Sequence, residues 1–103
     1  MFRRVYGRGG GKVAENESFV VYVYLHPKES GQEKWHVHIV RRSDGADAKI
    51  NLWTFELMRT TAFDRTTIKE FISWIYYNRH YLRRKWLQHV LKPFYESLGK
   101  KRE

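Results

Sequence analysis

Residues 35–53, WHVHIVRRSDGADAKINLW, limit the possible folds of this chain more than any other stretch. Two runs of alternating residues flank Ser43-Asp44-Gly45-Ala46. Asp-Gly between such runs is a strong hairpin signal, because a type I′ turn needs positive φ at both central positions. With Asp44 and Gly45 at the tip, Ser43 faces Ala46, Arg41 faces Ala48, Ile39 faces Ile50 and Val37 faces Leu52. The other face then pairs Arg42 with Asp47, Val40 with Lys49, His38 with Asn51 and His36 with Trp53. A slip of one residue would invert every side chain, so the pattern predicts a ribbon with one apolar side and one side bearing chemistry.

The surrounding pattern extends this ribbon into an antiparallel meander. Ser18–His26 is β-branched and aromatic on both faces, which marks a central strand, and Pro27 ends it ahead of a polar loop. Phe2–Tyr6 adds a short edge strand. After Trp53 the period changes. Residues 54–61 read as a short amphipathic helix with Phe55, Leu57 and Met58 as its contacts. Thr67 and Glu70 then form a capping box ahead of a long helix. Ile68, Phe71, Ile72, Ile75, Leu82, Trp86 and Val90 fall in one arc at 100° per residue, and Pro93 should kink or end the helix near Lys92. Arg79 lies within that arc and needs a carboxylate or carbonyl partner, or a head that reaches water. The expected fold is α+β: a meander of three or four strands, a short helix, and one long C-terminal helix packed on one face.

At 103 residues the chain is one domain, here bounded at 13–99, with a basic Gly/Arg-rich arm at 1–12 and a basic tail at 100–103. The absence of cysteine excludes disulfides and thiolate metal sites and suits a reducing cytoplasm. The arm is not a P-loop, since Tyr6 and Val13 stand where glycine and Ser or Thr are required. No apolar leader or membrane-length run is visible, and no serine sits in a nucleophile elbow.

Charge is uneven. Residues 1–12 carry four basic side chains and no acid, residues 13–78 hold eight basic against nine acidic, and residues 79–103 hold eight basic against Glu96 and Glu103. A polyanion would be met by the two ends. Arg3, Arg4, Arg8 and Lys12 would contact phosphates from the arm, and Arg83, Arg84 and Lys85 from the helix. Trp74, Tyr77 and Tyr81, interleaved with these cations, suit base stacking. The same aromatic and cationic set also suits a protein interface, to a larger assembly or to a copy of this chain.

From His36 onward the chain resembles a family of small bacterial proteins of unknown function. Their pattern is HVHV, a turn, AK-x-W-L, a short helix, then a long helix with a histidine and a late tryptophan. His36, Val37, His38, Ile39, Ala48, Lys49, Leu52, His80 and Trp86 carry the match, over about residues 18–92. The usual prolines before the first histidine are replaced by Glu33-Lys34-Trp35, and the tryptophan after Ala-Lys is shifted to Trp53. The resemblance implies a gene beside a small partner, in a toxin–antitoxin-like arrangement, with no established activity. Together with the charge it suggests a cytoplasmic nucleic-acid-associated protein, toxin–antitoxin-like or part of a mobile-element or defence system.

His36 and His38, at i and i+2, leave the same face of one strand. Metal ligation would need a third donor, for which His26 is the nearby histidine, and no metal or other cofactor is assigned. As general acid and base, with Lys49 and Arg42 on the same face, the pair could cleave RNA without metal. The remaining reading makes them sheet residues that stack on Trp53, hydrogen-bond Asn51 and line a binding surface.

Overall fold

The computed structural model describes residues 1–6, 11–24 and 34–101. Five strands form one antiparallel sheet in chain order: β1 (Arg3–Arg4), β2 (Lys12–Glu15), β3 (Phe19–Tyr22), β4 (His36–Arg41) and β5 (Asp47–Asn51). The class is α+β as expected, with five strands in place of three or four. The extra strand is β2, too short for its alternation to show and crossing the expected boundary between residues 12 and 13. Asn16 closes the β2–β3 turn by accepting the Ser18 and Phe19 amide protons on Oδ1, at 2.9 and 2.7 Å. Gly11, at φ 68°, enters β2 so close to Tyr24 that a Cβ would lie 2.7 Å from its ring. A bulge between Lys12 and Ala14 lets Val13 and Ala14 both bury.

The hairpin exists, but its register is two residues from the expected one. His36 pairs with Asn51, Val37 with Ile50, His38 with Lys49, and Ile39 with Ala48. Only Gly45 has positive φ at the tip, so the turn is not type I′. Arg41 and Ala46 close a four-residue loop, whose Asp44 carboxylate accepts from the Ala46 amide and the Arg41 guanidinium. A shift of two keeps every residue on its face, because the side-chain period is two.

Residues 54–61 are not helical. Phe55 has φ 60°, a left-handed conformation that a helix cannot contain. The chain turns and returns beside β5, with the Asn51 amide donating to Glu56 O and the Met58 amide to Lys49 O. Asn51 Oδ1 accepts the Trp53 and Thr54 amides and fixes that turn. Backbone pairing along the edge of β5 satisfies groups that a helix would have left exposed.

The long helix is interrupted rather than continuous: α1 (Arg65–Tyr77), α2 (Arg79–Trp86), a π turn (Leu87–Leu91) and α3 (Lys92–Lys101). Asp64 caps α1, one turn before Thr67, accepting the Thr67 amide at 2.7 Å. Asn78 interrupts it, its side-chain amide donating to Trp74 O at 2.9 Å. Pro93 does not end the helix. Its ring would clash with the carbonyl four residues back, and the wider π turn just before it absorbs the conflict.

Ile68, Phe71 and Ile75 of α1 and Leu82 and Trp86 of α2 join Val21, Val37, Ile39, Ile50 and Leu52 in one buried cluster. Phe2 and Phe19 pack their rings on Phe71 at 5.9 and 5.1 Å. The apolar side of the hairpin therefore lies under the helix, and His36, His38, Lys49 and Asn51 lie on the reverse side, as expected.

Candidate functional site

The reverse face of the sheet does not present its imidazoles to solvent. His36 is 0% and His38 2% exposed. The rings meet edge-on at 4.8 Å, and His36 also lies beside Trp86. His36 Nδ1 is 2.5 Å from Lys34 O, and since a carbonyl only accepts, that nitrogen carries the proton. Burial drives the His38 pKa down to about 4; His36, Arg59 and Lys49 add to the shift, and Asp47 opposes it. His38 is therefore neutral at pH 7. Neither ring uses the expected partners, for Asn51 is committed to the 53–54 turn and Trp53 has left the strand. Arg42 is held by Glu15 at 2.8 Å. His80 is exposed on the outer side of α2. Lys49 is half-buried beside His38. Among the described residues no group of three or more metal-ligating side chains occurs, and His26 lies outside them.

The acids of the sheet are each engaged. Glu15 is ringed by Arg42, Lys12 at 3.4 Å and Arg3 at 3.8 Å. Burial tends to raise its pKa, but these cations together hold it below the ordinary value. The bidentate contact to Arg41 depresses Asp44 to about 2, helped by the Ala46 amide. Asp47 binds Arg59. By contrast no acid occurs between Glu70 and Glu96, where five basic residues stand. The uncompensated charge of the described residues thus lies along the bent helix.

The expected phosphate and stacking residues divide. Tyr81 is buried, its hydroxyl donating to Val13 O at 2.7 Å, with Val5 O also near. Trp74 is half-buried against Phe2 at 4.9 Å. Arg4 lies over the Tyr81 ring at 4.3 Å and donates to Asn78 Oδ1. Tyr81 and Trp74 are covered because β1 and β2 run beneath the helix, which its own periodicity could not reveal, whereas Arg4 stays exposed on β1. Lys12 and Arg3 serve Glu15, and Arg8 lies outside the described residues. Tyr77, 81% exposed, and Arg84 stand open to solvent, with Lys85 half-buried near Tyr81.

A different aromatic and cationic patch is assembled instead. Arg83 lies 3.7 Å over Trp53 and 5.8 Å over Phe55. Phe55 meets Tyr76 at 5.4 Å, and Arg79 lies 4.2 Å over Tyr76. Backbone carbonyls orient both cations: Arg83 Nε donates to Leu52 O at 3.0 Å and Arg79 Nη1 to Tyr76 O at 2.9 Å. The remaining guanidinium N–H groups are left for other acceptors. Burial, and then Arg79, lowers the Arg83 pKa. Trp53 and Tyr76 are 55% and 48% exposed. Sequence reasoning missed Trp53, Phe55, Tyr76 and Arg79 as a group, since only the left-handed turn at Phe55 brings the first two against the helix. The carbonyl partner expected for Arg79 is present.

A family model described as a domain of unknown function (DUF4160) matches residues 19–87. The chain belongs to that family. The DUF4160 match spans β3 to the first residue of the π turn and takes in both the histidine strand and the Trp53–Arg83 patch. No curated protein and no solved structure matches this DUF4160 chain. No helix among the described residues is long and apolar enough to cross a membrane.

Proposed function

We propose that this DUF4160 protein binds single-stranded nucleic acid through the Trp53–Phe55–Tyr76–Arg79–Arg83 patch. Tyr77, Arg84 and Lys85 extend that surface, and Arg3 supplies a further cation near the sheet edge. The observation that carries the reading is the stacking of Arg83 over the exposed Trp53 and of Arg79 over the exposed Tyr76, beside a helical stretch with no acid between Glu70 and Glu96. Bases stack on aromatic and guanidinium planes with little regard to sequence, and cations alongside follow the phosphates. The patch also has the composition of a protein hot spot. Nucleic acid is favoured because the nearby positive charge is uncompensated, which a polyanion would neutralise with release of counterions. In a cell the protein would act as a nucleic-acid-associated component of a toxin–antitoxin-like pair, or of a mobile-element or defence system, as the resemblance implies. The two buried imidazoles carry no catalytic reading here: a scissile phosphate would have to reach rings that are at most 2% exposed.

Nitrocellulose retention of labelled poly(U) and poly(dT) over a salt series tests this. Trp53→Ala and Tyr76→Ala are each expected to weaken binding by about 1–3 kcal/mol, the range for one lost stacked base. Arg84→Ala should weaken it more evenly and flatten the salt dependence. Retention that survives in the Trp53→Ala, Tyr76→Ala double variant would remove the proposal.

A further inference from the structure

Where the histidine ribbon ends, the chain forms a small polar pocket outside the Trp53–Arg83 patch. The Leu52 amide donates to Trp35 O at 3.0 Å, which keeps the start of β4 beside the turn that follows β5. Lys34 is fixed there, because its carbonyl accepts from the buried His36 ring. Lys34, Asn51, Thr54, Glu56, Leu57 and Met58 line a pocket of about 220 Å³. Sites for drug-sized ligands begin at roughly 300 Å³, so this one suits a single flat base or an amino acid. Its polar groups are not spent on one another. Asn51 is 9% exposed, and its Oδ1 is committed to the Trp53 and Thr54 amides. The Nδ2 end, with two N–H groups, has no acceptor among the described residues, and a buried amide donor is costly to leave unpaired. The Lys34 ammonium and the Glu56 carboxylate line the same pocket without pairing with each other or with another described residue.

We infer that this pocket takes a guanine base. Among the common bases guanine alone sets two donors, N1–H and the N2 amino group, side by side, where a single carboxylate such as that of Glu56 accepts both. Its O6 and N7 are acceptors and match an ammonium and an amide N–H, here those of Lys34 and Asn51. Adenine and cytosine carry an unprotonated ring nitrogen beside the amino group, and uracil flanks its one N–H with carbonyls. Each of these would turn an acceptor toward the Glu56 carboxylate, which has no proton to give. Leu57 and Met58 supply apolar contact for the ring, and a thioether is favourable beside an aromatic edge. A free amino acid would also bridge Lys34 and Glu56; the choice of a base over it rests on the nucleic-acid reading above. Thr54 and Glu56 line the pocket, while Trp53 and Phe55 lie against Arg83 and Tyr76. Stacking ring and pocket wall thus belong to consecutive residues, so the base next to one stacked on Trp53 enters the pocket.

Titration calorimetry of the full chain with the 5′-monophosphates of guanosine, adenosine, cytidine and uridine, and with leucine, tests this. All four nucleotides carry the same phosphate, so a difference among them reports the base. The guanosine nucleotide should bind at least about tenfold more tightly than the other three, and leucine should not bind. Glu56→Gln, at an exposed position, keeps the size of the side chain but exchanges an acceptor for a donor, and should erase the preference. Lys34→Met, also exposed, should weaken the guanosine nucleotide by about tenfold; circular dichroism checks the fold of both variants. Equal binding of the four nucleotides, a preference intact in Glu56→Gln, or full affinity in Lys34→Met would overturn the inference. So would leucine binding that Glu56→Gln abolishes, because the occupant would then be an amino acid. Poly(U) contains no guanine and reads the stacking patch alone. Its failure to be retained, with guanosine nucleotide bound, strikes the patch and leaves the pocket; retention of poly(U) without guanosine nucleotide binding does the reverse.

Discussion

His38 shows how burial converts an ordinary side chain into a pH-dependent liability. Its pKa is about 4 in the folded chain against 6.5 when free, chiefly from desolvation. Below the unfolded pKa the unfolded chain binds the extra proton, so stability present above about pH 6.5 is lost as pH falls toward 4. The shift corresponds to roughly 3 kcal/mol at the acid limit, at 1.36 kcal/mol per unit. Urea unfolding of the wild type should therefore show falling stability across that window. His38→Leu, which cannot titrate, should show a flatter profile; an identical slope in that variant would exclude His38 as the cause. The alternation of the strand made legible that His36 and His38 share a face. Their depth was not legible, because a strand pattern reports which way a side chain leaves the backbone and not what lies over it. Tyr81 and Trp74 teach the same lesson on the helix, where spacing marked them as outward and β1 and β2 cover them.

Elements were readable to the extent that local chemistry decides them. The Asp-Gly signal located the hairpin, yet the loop took four residues, since Asp44 spends its carboxylate on Arg41 and Ala46 and leaves only Gly45 at positive φ. The start of α1 has two rival signals. Asp64 wins over the Thr67–Glu70 box because its carboxylate reaches the Thr67 amide and an additional turn of helix forms. Asp64→Ala should lower stability by about 1 kcal/mol, and Glu70→Ala, on the exposed side, by less than about 0.5 kcal/mol. Chemical denaturation of the two variants checks the order, and a larger loss for Glu70→Ala would reinstate the box. The 54–61 segment failed as a helix for a non-local reason: the edge of β5 offered hydrogen bonds that a short helix could not match.

At the scale of the whole molecule, charge and apolar surface are sorted rather than mixed. The acids of the sheet are held by Arg41, Arg42, Arg59, Lys12 and Arg3, and the bent helix keeps its positive charge uncompensated. If Arg79, Arg83, Arg84 and Lys85 each neutralise a phosphate, the logarithm of the affinity for poly(U) should fall against the logarithm of salt with a slope of about −3, at roughly −0.7 per contact for single strands. A slope near zero would show that the basic helix meets no phosphates. Two positions of one helix thus carry different surfaces, an aromatic–cationic one toward α1 and an apolar one on α3, separated by the π turn ahead of Pro93.

Periodicity alone determined which residues share a face: Val37, Ile39, Ile50 and Leu52 on one side of the ribbon, His36, His38, Lys49 and Asn51 on the other. That follows from backbone stereochemistry within a few residues, and even a two-residue error in register leaves it intact. Tertiary structure decided which of those faces meets water, and which aromatic rings Arg79 and Arg83 lie over. Coverage depends on segments far apart in the chain, on β1 running under Tyr81 and on Phe55 turning back against Tyr76, and no local pattern encodes where such segments come to rest.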